Sequence, residues 1–83
     1  MKVTVRYFAS LREALGDGQV IVVPNGITLG ALRDGLIAQS PVHAAALHRG
    51  RTVRCAMNLT MSDEDTVITD GAEVAFFPPV TGG

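Results

Sequence analysis

Asp70-Gly71-Ala72-Glu73-Val74-Ala75-Phe76-Phe77-Pro78-Pro79-Val80-Thr81-Gly82-Gly83 closes this 83-residue sequence, and its reading decides the rest. Asp70-Gly71 is turn chemistry, because aspartate bonds to nearby backbone and glycine accepts positive φ. Glu73–Phe77 alternates as a strand, and Pro78 and Pro79 must stop it, since neither donates a ladder hydrogen bond. What remains, Val80, Thr81, Gly82 and Gly83, is a short tail. We therefore expect one domain over residues 1–79 and a flexible Gly-Gly tail over residues 80–83.

Upstream, residues 2–8 alternate as a half-buried strand, with Val3, Val5 and Tyr7 on one face and Thr4, Arg6 and Phe8 on the other. Ser10-Leu11-Arg12-Glu13 has capping-box spacing, which predicts a helix of about two turns stopped at Gly16. Residues 20–23 form a β-branched strand ending at the turn Pro24-Asn25-Gly26. Thr28 caps a second helix whose apolar positions are Leu29, Leu32, Leu36 and Ile37. Gly30 and Gly35 weaken it by up to ~1 kcal/mol each, and Pro41 marks its end. Residues 42–48 stay unassigned. Residues 53–57 read as a strand and residues 62–65 as a polar loop. The order of elements predicts an α+β β-grasp fold, a mixed sheet of four or five strands with helices packed on one face.

Composition narrows the function. The chain is 47% hydrophobic and 18% charged, which excludes intrinsic disorder. Seven basic side chains against eight acidic ones lack the basic excess of a nucleic-acid module. Arg49, Arg51 and Arg54 read as a solvated loop and strand edge, with a phosphate or acidic-partner contact as the alternative. The lone Cys55 alternates with Val53 and Met57, as a buried small hydrophobe would, with a persulfide-bearing or nucleophilic thiol as the alternative, and fits a reducing compartment. With no leader and no apolar run of the ~18–20 residues a bilayer crossing needs, we expect a cytoplasmic protein without a membrane contact.

Chemistry-bearing clusters are sparse. No phosphate loop stands between a strand and a helix, and no His or Cys pair has ligand spacing. His43 and His48 lie five apart and do not share a helical face well, and Asp63, Glu64 and Asp65 read as a solvated turn. The expectation is no metal, no cofactor bound by this chain, and no catalytic machinery of its own.

The tail is different. Two closing glycines have a chance likelihood of about 0.5% at ~7% usage per position, so an accidental terminus is a poor account of them. A rigid strand, a proline stop and a short tail project a carboxylate. Activating that carboxylate with ATP requires threading it into a partner's active site, where residues without Cβ avoid clashes. The prolines reduce the entropy lost on insertion.

The closing fourteen residues, with Val3-Thr4-Val5-Arg6-Tyr7-Phe8-Ala9, Arg12-Glu13, Leu32-Arg33 and Asn58, resemble the ubiquitin-like sulfur-carrier family (MoaD/ThiS), and within it the small subunits of molybdopterin synthase. Ala72 and Gly30 depart from the family pattern without touching the tail. The resemblance implies that Gly83 carries the working carboxylate, as a 1-thioglycine thiocarboxylate after adenylation. A ubiquitin-activating-enzyme-like, MoeB-like adenylyltransferase would spend ATP on Gly83, with the sulfur donor acting through a partner. The large subunit (MoaE) would then direct the sulfur to cyclic pyranopterin monophosphate in molybdenum cofactor biosynthesis. It further implies that Pro78, Pro79, Val80, Thr81 and Gly82 serve tail insertion. Alternation places Phe8 and Phe77 on the open face of the sheet as a partner interface, and Met61 joins them by resemblance. Three alternatives stay open: a thiamine-thiazole sulfur carrier, which the Phe-Phe-Pro-Pro-Val segment argues against, a ubiquitin-like protein modifier, and a plain β-grasp interaction module.

Overall fold

The computed structural model describes residues 1–79. Eight elements follow one another: β1 (Lys2–Tyr7), α1 (Ala9–Leu15), β2 (Gly18–Val22), α2 (Leu29–Ile37), α3 (Pro41–Leu47), β3 (Arg54–Met57), β4 (Thr60–Ser62) and β5 (Glu73–Phe77). The strands form one five-stranded sheet in the order β2-β1-β5-β3-β4. β1 and β5 pair in parallel, Val5 opposite Val74 and Tyr7 opposite Phe76, and the other neighbours are antiparallel. This is the expected mixed sheet, with the first and last strands side by side near its middle.

Period-two alternation decides which face is covered. Val3, Val5 and Tyr7 of β1 and Val74 and Phe76 of β5 are buried. They form one core with Leu11 of α1, Leu29, Leu32 and Leu36 of α2, and Leu47 of α3. All three helices therefore pack on one face. The intervening residues Lys2 and Arg6 are exposed on the other face, which no helix covers.

Three expectations need correction. The capping box at Ser10 does not form: α1 starts at Ala9, and its N-cap is Phe8, without a side-chain cap. The Phe8 carbonyl instead accepts from the Leu11 N–H at 3.2 Å and the Arg12 N–H at 3.4 Å. The Phe8 N–H is itself tied to the sheet, donating to the Phe76 carbonyl at 3.1 Å. The chain turns from strand to helix within one residue, which places Ala9 at φ 53, a conformation costing roughly 1–2 kcal/mol for a residue with Cβ.

Pro41, expected to mark the end of α2, opens a helix of its own. Ser40 caps α3 by accepting from the His43 N–H at 3.1 Å, and Pro41 occupies the first turn, where its missing N–H costs nothing. Residues 42–48, unassigned from sequence, thus lie mostly within α3.

The segment 62–65 is not wholly loop, because β4 reaches Ser62. A two-residue turn, Asn58-Leu59, joins β3 to β4, with φ 50 and φ 68. Positive φ at both central residues is the primed hairpin geometry whose twist matches the strands. Asn58 also uses its side chain, accepting the Glu73 N–H at 3.0 Å.

Two glycines are fixed by close approach. Gly18 has φ +146, and a Cβ there would lie 1.9 Å from the Val5 carbonyl oxygen. A Cβ on Gly30 would lie 3.1 Å from the Glu64 Cβ, and the Gly30 N–H donates to the Glu64 carbonyl at 2.9 Å. The glycine that weakens α2 is what lets the 63–66 segment pack against it.

Candidate functional site

The uncovered face of the sheet holds the described residues expected at an interface. Phe8 is 42% exposed and Met61 62% exposed, while Phe77 is half-buried. The Phe8 N–H bonded to Phe76 sets Phe8 beside Phe77 at one end of the β1–β5 pair. Along the adjacent row, Arg6 pairs with Ala75, Ala75 with Ala56, and Ala56 with Met61. Two alanines thus form a shallow floor, with Met61 at one edge and the two phenylalanines one row away. Arg54 stands opposite Phe77.

Pro78 and Pro79 follow directly from this corner and are half-buried. The expected tail residues Val80, Thr81, Gly82 and Gly83 lie outside the described residues.

One residue absent from the sequence reading of this face, Leu59, belongs near it, and Arg6, placed there by alternation, was given no role. Leu59, at the tip of the β3–β4 hairpin, is 93% exposed. A fully exposed leucine at positive φ breaks both packing and backbone preference. Its signal was weak, because Asn-Leu lacks the glycine that marks such turns. Arg6 was legible as an outward residue but carried no motif.

Behind the sheet, a polar network organises the helices. Arg33 is buried, with 4% exposure. Its guanidinium donates to the carbonyls of Leu47 at 2.8 Å, His48 at 2.9 Å and Arg51 at 3.0 Å. Those groups end α3 and open the following loop, where free carbonyls need a donor. Glu64 lies 3.5 Å from Arg33 and also pairs with Arg49, which bonds Asp34 and the Gly30 carbonyl as well. Burial pulls the Arg33 guanidinium below its usual range, with Glu64 opposing, while the hydrogen bond that Arg49 donates to Glu64 raises Arg49. Glu64 is therefore a structural ion-pair partner, not the solvated turn residue expected. Arg49 likewise departs from a merely solvated loop.

Cys55 is buried, and its thiol donates to the Ser62 carbonyl at 3.3 Å. Burial pushes its pKa up, so it stays a thiol at neutral pH and lacks the electropositive setting of a nucleophile. His43 holds its ring edge-on to Tyr7 at 6.4 Å, with Nδ1 2.7 Å from the Ser40 hydroxyl. Among the described residues, no three His, Cys, Asp or Glu side chains converge as a metal site. No helix there is long and apolar enough to cross a membrane.

A five-stranded mixed sheet, parallel at its centre, covered by helices on one face and apolar on part of the other, defines a β-grasp protein of the ubiquitin-like class. Solved structures of that class superpose well. A Haloferax volcanii protein, SAMP1, matches with TM-score 0.79 at 25% identity over 100% of both chains. A Helicobacter pylori protein-protein complex of subunits 1 and 2 of molybdopterin-converting factor matches with TM-score 0.68 at 26% identity, again over 100% of both chains. Residues 5–83 match the model of the ThiS family, and the chain belongs to that family. The molybdopterin synthase sulfur carrier subunit of Escherichia coli is 44% identical over 81 residues, covering 98% of this chain and 99% of its own.

Proposed function

We propose that this chain is the sulfur-carrier subunit of a molybdopterin synthase, working through the carboxylate of Gly83. The observation that carries the reading is the near full-length 44% identity to a molybdopterin synthase sulfur carrier subunit. The strand-then-diproline end supports it, because β5 is anchored between β1 and β3 and delivers the chain into Pro78-Pro79 beside the Phe8–Phe77 corner.

The chemistry follows from a terminal carboxylate that has no leaving group. One of its oxygens attacks the α-phosphate of ATP in a MoeB-like adenylyltransferase, pyrophosphate departs, and an acyl-adenylate forms. A sulfur nucleophile displaces AMP and leaves a thiocarboxylate on Gly83. In the large subunit, MoaE, that sulfur passes to cyclic pyranopterin monophosphate and water restores the carboxylate. Two deliveries build a dithiolene. The carrier supplies position and sulfur, and the partners supply the nucleotide site and the proton transfers.

The test is sulfur transfer to the pterin precursor with large subunit and activating enzyme supplied. Deleting Gly83 moves the carboxylate ~3.5 Å along an extended tail. Since a 1 Å misplacement already costs on the order of 10²-fold, transfer falls to background. One residue added after Gly83 has the same effect, because the carboxylate becomes an amide. Intact mass of the cellular protein shows a gain of about 16 Da that vanishes with Gly83, which separates it from methionine oxidation. Full transfer by the Gly83 deletion ends this reading.

A second reading has one specific observation behind it, the similarity to SAMP1, since a Haloferax volcanii structure of this fold is a small archaeal modifier protein. A modifier forms isopeptide bonds from the same carboxylate to lysines of other proteins. Mass spectrometry of cell protein distinguishes the two: Gly83-linked lysine adducts mark the modifier, and a thiocarboxylate without adducts marks the carrier.

A further inference from the structure

Six arginines serve this chain in two different ways. Arg12 pairs with Asp17, Arg33 with Glu64, and Arg49 with Asp34 and Glu64, so these three are matched by carboxylates of the same molecule. Arg6 and Arg54 stand on the uncovered sheet face, exposed, and make no ion pair among the described residues. The remaining one, Arg51, lies in the loop before β3 and gives its carbonyl to Arg33.

Of the three arginines without an ion pair among the described residues, Arg6, Arg51 and Arg54, the strand order places Arg6 and Arg54 beside the aromatics. Arg6 is two residues before Phe8 on β1, and Arg54 lies directly opposite Phe77 across the β3–β5 pair. They flank the phenylalanine corner from either side. Lys2 lies further along the same face, with two acidic side chains: Glu73, opposite Thr4, and Asp63, which lines the same depression as Arg54 and Met61. Three basic groups against two acidic leave the rest of the chain with four basic and six acidic side chains. An acidic molecule thus keeps a positive face around its exposed aromatics.

We propose that the surface docking on this face is an acidic one: the partner is the molybdopterin synthase large subunit of the same organism, presenting carboxylates to Arg6 and Arg54 around an apolar seat for Phe8, Phe77 and Met61. This rests on the sulfur-carrier reading above. Charge complementarity of this kind acts mainly on encounter, while the desolvated aromatics hold the complex together. Rim arginines steer the partner, and the phenylalanines set how long it stays.

The experiment measures association and dissociation rates of the full chain with that purified large subunit. Ionic strength is varied from about 0.01 M to about 1 M, over which the screening length falls from about 30 Å to about 3 Å. The wild-type association rate falls on the order of 10-fold or more over this range. The Arg6→Glu, Arg54→Glu double variant associates about 10-fold more slowly at low salt and converges on wild type at high salt. The Arg6→Met, Arg54→Met pair, neutral and similar in reach, falls between them. Melting temperatures of both variants stay at the wild-type value, since the two side chains are exposed. An association rate that ignores salt, one that rises with salt, or a charge-reversed variant that associates like wild type overturns the proposal. Phe77→Asp instead raises the dissociation rate at every salt concentration. If it binds like wild type, the patch is not the interface, yet the carrier reading stands on the Gly83 test. If wild type forms no complex at any salt, the large-subunit assignment itself fails.

Discussion

Arg33→Ala is the substitution whose consequence the structure fixes most firmly. The guanidinium is buried and divides its donors among three carbonyls, those of Leu47, His48 and Arg51, with Glu64 at 3.5 Å. Removing it takes the donor from the carbonyls of Leu47 and Arg51, while His48 keeps the Arg51 N–H at 2.9 Å, and it leaves a cavity that water must enter. A hydrogen bond to a charged group is worth about 1.5–3 kcal/mol, but the three share one side chain and its desolvation cost. Loss of one partner of a buried ionic group costs about 3–5 kcal/mol, and we take the lower half, ~3–4, because Glu64 keeps Arg49. At 0.05–0.15 kcal/mol per residue, a chain of this length has roughly 4–12 kcal/mol in total. The variant therefore loses a large share of its stability, and its melting point drops by roughly 12–32 °C. Arg33→Lys recovers only part, since one ammonium cannot reach three carbonyls on divergent bearings. Arg49→Ala, in the exposed half of the same network, costs under about 1 kcal/mol. Urea denaturation with an unchanged m-value measures all three. A loss below about 1 kcal/mol for Arg33→Ala, or equal losses for Arg33→Ala and Arg49→Ala, refutes the argument that burial and carbonyl capture set the difference.

Gly18→Ala forces a Cβ to within 1.9 Å of the Val5 carbonyl oxygen unless β2 shifts; we expect a loss of about 2–4 kcal/mol by denaturation and faster amide exchange across the β1–β2 pair. Cys55 and Tyr7 both have pKa values raised by burial, from ordinary values of 9.0 and 10.0. The native state therefore holds protons that the unfolded state releases, so stability is full below pH 9.0 and declines as pH rises above it. Cys55→Ala removes the earlier part of that alkaline decline, and a thiol reagent modifies native Cys55 far more slowly than the denatured chain. A pH-independent stability between 9.0 and 10.0 contradicts this account.

Much of the fold was legible because its central elements obey local rules. Glu73–Phe77 and β1 alternate cleanly, and Thr28 with Leu29, Leu32 and Leu36 spells a capped helix with one apolar stripe. Failures came where signals were short or ambiguous. α3 presents Val-His-Ala-Ala-Ala-Leu, too small in its side chains to mark a stripe, and Pro41 was read as a stop when it is the first turn of a helix that Ser40 caps. β4 has three residues and a turn without glycine. Arg33 sits four residues after Leu29 and three before Leu36, on the apolar stripe, and a charge at that position was the available sign of a buried role. The open face was legible one strand at a time: parity sent Phe8 and Phe77 outward. Which residues meet there depends on β5 lying between β1 and β3, a pairing between distant parts of the chain that periodicity does not encode.

That placement of β5 also governs how the molecule bears load. A partner that grips the chain beyond Pro79 pulls along the axis of β5, not across it. Four residues of the strand are registered against β1 and four against β3, so both ladders are strained together in shear. An edge strand such as β4 would instead peel open one rung after another. The C-terminal strand is moored amidships, so a load applied past Pro79 falls on the middle of the sheet and not on its rim.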